Sequence, residues 1–305
     1  MCDELTEAEN ETFLAAQMQR RQLAMGAGAA MLVGCGPSKP TTAAPSTPTA
    51  AGPAQPAAQP SVTGRIVTIE TPDGTAEAYF AAPSTGRSPA VLIWPDVAGL
   101  RSAFEQMATR LAEAGYAVLA VNPYYRSSKL PVLETFSEWR TEEGRAKIAP
   151  MIEPLSSEAI ARDASTFVSW LDQQPQVDPA RKIGTAGYCM GGPFTVWTAA
   201  AAPDRVGALG SFHGGGLVRE TEDSPHALFP KMSAAALICI AQSDDDRDPQ
   251  AKTTLRAAAD AAGREAEIEV YPAQHGWCVT DSPVYDETQA ERAWSRLLAT
   301  FEAQL

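Results

Sequence analysis

Lys182-Ile183-Gly184-Thr185-Ala186-Gly187-Tyr188-Cys189-Met190-Gly191-Gly192 compresses the end of a strand, a sharp turn and the start of a helix into eleven residues. Ile183 to Ala186 has the small, apolar character of a fully buried strand, and a helical pattern is predicted from Met190 to Ala202. Between them, glycines at 187 and 191 flank Cys189. A turn this tight crowds any Cβ beside the flanked residue. The pattern therefore has the layout of a G-x-S-x-G nucleophile elbow with sulfur in place of oxygen. The thiol is expected at the top of a sheet and at the N-terminal end of a helix, where the helix dipole favours a thiolate. Glycines and a buried cysteine also coincide at packed strand-to-helix crossings, so the partners elsewhere in the chain decide the matter.

Outward from the elbow, short β-rich runs alternate with helical patterns, which predicts an α/β domain with a mostly parallel central sheet of about eight strands flanked by helices. Ile66 to Glu70 and Ala76 to Ala82, joined through Pro72-Asp73-Gly74, form an opening hairpin. Ala90 to Trp94, Ala117 to Val121, Lys182 to Ala186, Val206 to Phe212, Ala236 to Ala241 and Glu267 to Tyr271 supply the remaining strands. Phe104, Met107, Ala108, Leu111 and Ala112 recur at helical spacing and stop at Gly115, a C-terminal glycine. Further helices are expected over Ser156 to Asp172, Pro249 to Ala262 and Thr288 to Gln304. With no internal repeat or linker, residues 63–305 are expected to be one domain, and the protein a monomer.

A nucleophile in an elbow needs a base on a late loop and an acid before it in the chain. Of the three histidines, His275 alone follows the last strand directly, in Gln274-His275-Gly276-Trp277. His213, which ends the strand Val206 to Phe212, is a candidate substrate contact or loop cap and a lesser alternative as base, with Trp277 a further candidate contact; His226 reads as a surface loop residue. The acid should lie in Gln242-Ser243-Asp244-Asp245-Asp246-Arg247-Asp248, just after the strand Ala236 to Ala241. Counting from the strand end favours Asp244, and counting back from Pro249 favours Asp245; Asp246 and Asp248 read as caps of the next helix. Oxyanion donors are expected at the Met190 amide and at the Val97 amide in Trp94-Pro95-Asp96-Val97-Ala98-Gly99-Leu100. Asp96 is a candidate thiol-facing acid, since a carboxylate beside a thiol can hold or compete for its proton; helix capping is its alternative.

The 305 residues carry a formal net charge of -13 without a basic patch, which argues against binding nucleic acid or anionic lipid through the folded surface. Arg20-Arg21 precedes a small and apolar run from Leu23 to Val33, the layout of a twin-arginine export signal. That run falls short of the about 20 residues a membrane-spanning helix needs. Leu32-Val33-Gly34-Cys35 then has the form of a lipoprotein box, with Cys35 as the acylation candidate. Residues 1–35 are thus read as an address segment. Residues 36–62, built from Pro, Ala, Thr, Ser, Gly and Gln, are read as a disordered spacer. The expected location is the periplasm, either free or as a membrane-anchored lipoprotein, with membrane contact only through that lipid. Cys239 and Cys278 are more readily buried apolar thiols than a bridge.

Trp94 to Leu100, Gly115-Tyr116-Ala117-Val118, Asn122-Pro123-Tyr124-Tyr125-Arg126, the elbow, His275-Gly276-Trp277 and the closing segment Tyr285 to Trp294 together resemble the dienelactone hydrolases of the α/β-hydrolase fold, over residues 64–305. The resemblance implies a Cys-Asp-His triad that hydrolyses a small-molecule ester or lactone through a thioester, as a carboxymethylenebutenolidase-like hydrolase with no metal and no organic cofactor. In the family's best-known members a glutamate stands at the position of Asp96 and holds the resting thiol, so the carboxylate here is one methylene shorter. Members acting on dienelactone bind its carboxylate with arginines, and Arg126 is a candidate for such a contact or for a structural ion pair. Two other readings fit the same residues. One is a thiol acyltransferase or peptidase on this fold, and the other is a catalytically silent, lipid-tethered binding domain.

Overall fold

A computed structural model describes residues 4–26 and 61–305. Of these, residues 4–10 and 61–305 form one compact unit, and residues 11–26 belong to a second. Cys35 and the spacer up to residue 60 lie outside the described residues. The first helix, α1 (Glu4–Gly26), carries Arg20 and Arg21. Among the described residues no helix is long and apolar enough to cross a membrane.

The main unit runs β1 (Val62–Thr71), β2 (Gly74–Pro83), β3 (Ala90–Trp94), α2 (Ser102–Glu113), β4 (Ala117–Val121), α3 (Phe136–Trp139), α4 (Glu142–Ile152), α5 (Ser157–Asp172), β5 (Ile183–Tyr188), α6 (Gly191–Ala201), β6 (Val206–Phe212), β7 (Ala235–Ala241), α7 (Gln242–Arg247), α8 (Ala251–Ala261), β8 (Ala266–Tyr271) and α9 (Glu287–Gln304). The eight strands lie in the order β1-β2-β4-β3-β5-β6-β7-β8. The hairpin β1–β2 pairs antiparallel to β4, and β4, β3, β5, β6, β7 and β8 are mutually parallel.

Alternation along each strand sends side chains to two separate cores. Leu92 and Trp94 pack with Phe167, Val196 and Leu255 of α5, α6 and α8. Val91 and Ile93 pack with Phe104, Leu111, Leu297 and Phe301 of α2 and α9. Burial on both faces explains why β3 to β5 read as continuous apolar runs. Local sequence sets the helix ends: Ser156 accepts from Ala159 N–H and Asp286 from Gln289 N–H. Gly115, with φ of 99°, turns the chain out of α2.

The chain passes from β3 to β4 on one side and returns to β5 on the other, so the strand order reverses beside β3. In open parallel sheets, sites form outside the carboxyl ends of the strands at such a point. The ends of β3, β5, β6, β7 and β8 here present Asp96, Cys189, His213, Asp244 and His275 on one edge.

Three elements differ from the sequence expectation. Residues Phe136–Trp139 and Glu142–Ile152 are helical, although their scattered polar residues and Pro150 hide the pattern. The aspartate-rich stretch after β7, expected as a loop, is the short helix α7. Its composition is poor for a helix, and tertiary contacts hold it: Gln242 N–H donates to Ala273 C=O at 2.9 Å, and Ser243 Oγ accepts from His275 N–H at 3.0 Å.

Candidate active site

The elbow is as tight as the glycines require. A Cβ at position 187 would meet the Gly191 carbonyl oxygen at 2.0 Å, and one at 191 would meet the Trp94 carbonyl oxygen at 2.3 Å. Cys189 itself sits at φ of 52°, the left-handed region a side chain rarely adopts. The strain is held by a hydrogen bond from Cys189 N–H to Phe212 C=O at 3.0 Å and one from Gly192 N–H to Cys189 C=O at 3.0 Å.

His275 Nδ1 lies 2.8 Å from Asp244 Oδ2 and 3.0 Å from Oδ1. Asp245, the alternative acid, points elsewhere and pairs with Lys252 at 2.6 Å through both oxygens. Successive residues of a helix diverge by about 100°, and α7 carries both aspartates, so only one can face the histidine. Asp246 accepts from Gln242, and the N-cap of α8 is Gln250, with no side-chain cap bond, so neither Asp246 nor Asp248 caps it as expected.

Burial disfavours a charged His275 ring, but Asp244 and Cys189 outweigh it and raise its pKa to about 10. Among the described residues Nε2 has no hydrogen-bond partner, and the Cys189 sulfur acts on the ring through its charge. An imidazolium beside the sulfur is the counter-ion that a thiolate needs.

His213 takes a different part. It is buried at φ of 41°, its ring edge-on to His275 and to Trp277 with centroids 4.9 and 5.1 Å away. Burial, reinforced by His275, pushes its pKa well below 6.5. Among the described residues neither ring nitrogen has a partner, so no acid orients it as a base. Trp277, a candidate substrate contact by sequence, is fully buried and stacks on Tyr271 at 5.3 Å. His226 is half-buried against Ser224, its Nδ1 2.7 Å from Oγ.

Asp96 is 2% exposed, and both its oxygens are engaged. Oδ1 accepts from Ala98 N–H (2.9 Å) and Arg101 Nη1 (2.8 Å), and Oδ2 accepts from Arg101 Nη2 (2.9 Å). Arg101 turns its other edge to Asp281, with both contacts at 2.8 Å. Burial raises the Asp96 pKa against the pull of Arg101, and the charges of Cys189 and Asp281 push it the same way. Asp96 thus reaches the thiol through its field while its hydrogen bonds go to Arg101 and the Ala98 amide. Arg101 and Asp281 are site-supporting residues that the sequence reading missed, because partners 5 and 180 positions apart leave no periodic trace. Removing one member of a buried ion pair strands the other. Arg101→Ala is therefore expected to lower the unfolding free energy by about 3–5 kcal/mol, measured by urea denaturation.

One tyrosine ties the two expected oxyanion donors together. Tyr124 O–H donates to Val97 C=O at 2.7 Å and lies 3.5 Å from Met190 Sδ. Its position in Asn122-Pro123-Tyr124 is fixed by Asn122 Oδ1, which accepts from Tyr124 N–H at 3.0 Å. Arg126, the candidate anion contact, is consumed by structure. It donates to both oxygens of Asp163 at 2.8 Å, pairs with Asp73 and lies over the Tyr125 ring. Among the described residues Cys189, Cys239 and Cys278 form no disulfide, and burial raises the Cys239 and Cys278 thiols. No group of three His, Cys, Asp or Glu side chains among them is placed to hold a metal ion.

This arrangement has relatives. The profile of the dienelactone hydrolase family matches residues 76–305. The chain belongs to the dienelactone hydrolase family. A Salmonella typhi protein assigned as a carboxymethylenebutenolidase is 25% identical over 248 residues, which cover 79% of this chain and 87% of that one. A crystal structure assigned as a dienelactone hydrolase from Klebsiella pneumoniae superposes with a TM-score of 0.69 at 23% identity, covering 79% of this chain and 99% of that one. A dienelactone hydrolase-like promiscuous phosphotriesterase from metagenomic libraries gives 0.66 at 20% identity, covering 80% and 98%. This member of the dienelactone hydrolase family is accordingly an ester or lactone hydrolase on the α/β-hydrolase fold.

Proposed function

We propose that the hydrolase works through a Cys189–His275–Asp244 triad and a thioester. The observation that carries this reading is the Asp244 carboxylate 2.8 Å from His275 Nδ1 while Cys189 acts on the same buried ring. The Cys189 thiolate attacks the carbonyl carbon, forming a C–S bond and placing the negative charge on the carbonyl oxygen. The Val97 and Met190 amides stabilise that charge. As the tetrahedral intermediate collapses, the C–O bond breaks and the leaving alkoxide takes the proton from His275 Nε2. Water then gives a proton to Nε2 and attacks the thioester; the carboxylic acid leaves and the thiolate returns. Asp244 keeps the ring oriented and balances its charge, acting through His275.

Arg20-Arg21, the apolar run behind it and the Leu32 to Cys35 box support export, with Cys35 as the lipid anchor and the Pro/Ala/Thr-rich stretch as tether. The substrate is a small ester or lactone. A panel of aryl esters and lactones, dienelactone included, followed by pH-stat, should release one acid group per bond cleaved. Adding amine or thiol acceptors should not divert the product. Predominant acyl transfer to the acceptors would replace hydrolysis with a transferase.

A further inference from the structure

The first turns of α1 rest on the rim of the triad. Thr6, Glu7 and Asn10 are buried there, at 1%, 7% and 2% exposure. Glu7 Oε2 accepts from Arg140 Nε at 2.7 Å. Arg247 Nη2 donates to Thr6 Oγ1 at 3.1 Å, lies 3.3 Å from Glu9 Oε2, and also donates to Asp244 Oδ1 at 3.1 Å. Asn10 Nδ2 donates to the backbone carbonyl of His275 at 3.3 Å. Residues 6 and 9, and 7 and 10, are i,i+3 neighbours, so one face of the helix makes these contacts. The segment therefore grips the loop that carries the histidine and the helix that carries its acid.

Burying polar side chains is unfavourable unless they find partners, and partners of these three include Arg140, Arg247 beside Asp244, and the His275 carbonyl. The reacting groups are closed off in the same chain: Cys189 is 1% exposed and His275 3%. A hydrolase must admit its substrate to that sulfur. Of the ion pairs that fix the segment, Arg247–Glu9 is partly exposed, at 30% and 39%, and pairs of this kind are individually weak, while Glu7 in the pair with Arg140 is 9% exposed. Such a segment is displaceable, yet tethering keeps it at high effective concentration.

We propose that residues 4–10 are an intramolecular cap that restricts access to Cys189. The cap rests on the reading of Cys189 as nucleophile, and its test separates the two. In the full chain, Glu7→Lys with Glu9→Lys turns both ion pairs into repulsions. If the capped state holds nine chains in ten, the rate of Cys189 alkylation by neutral iodoacetamide, located by peptide mass spectrometry, should rise about tenfold. kcat/KM for a neutral aryl ester should rise with it. A peptide of residues 3–12 added to the double variant should lower both rates again. Asn10→Ala, which loses the contact to the His275 loop, should move both in the same direction by less and serves if the double variant does not fold. Unchanged alkylation in these variants overturns the cap, whatever the esterase result. A Cys189→Ala chain that still turns over overturns the nucleophile, while the alkylation rates still judge the cap.

Discussion

Replacing Cys189 with alanine is expected to lower kcat/KM for an aryl ester by at least about 10⁴-fold, with the unfolding transition retained. Alanine keeps the Cβ that already occupies φ of 52°, so the elbow meets no new backbone demand. It removes only a small, buried thiol. The hydrogen bonds that hold the turn run through the backbone, from Cys189 N–H to Phe212 and from Gly192 N–H to Cys189, and survive the change. What disappears is the bond-forming atom and the charge that favours a protonated His275. Progress curves with purified variant and parent, beside far-ultraviolet circular dichroism, check it.

The second large effect separates two neighbouring aspartates. Asp244→Asn should reduce kcat/KM by about 10³- to 10⁴-fold, because the amide no longer fixes the tautomer of His275 or balances its charge. Asp245→Asn should leave turnover near that of the parent, since its carboxylate meets Lys252 and not the histidine. The two differ in pH behaviour as well. His275 has a folded pKa raised above its ordinary 6.5, to about 10. Its contribution to stability is therefore fully present below pH 6.5 and is lost as pH rises through about 10. Asp244→Asn removes a principal cause of that shift. Urea denaturation from pH 6 to 10 should show a shallower decline for Asp244→Asn than for the parent or Asp245→Asn.

The ease of choosing His275 from sequence, against the difficulty of choosing its acid, has a physical cause. Strands buried on both faces appear as apolar runs, and the order of elbow, acid loop and histidine loop follows from the order of the strands, so β3 to β8 and the places of Cys189 and His275 at their strand ends are legible one residue at a time. Asp244 and Asp245 are adjacent, and only the phase of α7 distinguishes them. That phase depends on Gln242 and Ser243 meeting the histidine loop, a contact 31 or 32 positions away.

Pairs across long stretches of chain were equally hidden. Arg101 joins Asp96 to Asp281, and Tyr124 joins Val97 to Met190. The glycine-rich elbow carries a local signature because its strain is local; the clamp behind Asp96 carries none because it is assembled by tertiary packing. For the same reason Arg126 looked available on the active edge, although Asp163 on α5 holds it. Address-like features in the first 35 residues likewise give no sign that Thr6 meets Arg247 beside Asp244 or that Asn10 meets the His275 carbonyl.

Trapping the acyl-enzyme tests the central claim most directly. The chain is mixed with excess aryl ester, quenched in acid within the first turnovers, digested and read by mass spectrometry. The peptide containing Cys189 should gain the mass of the acyl group, lose it on treatment with neutral hydroxylamine, and gain nothing in Cys189→Ala. An acyl group found on another residue, or turnover with an accumulating burst but no adduct at Cys189, would contradict the thioester mechanism.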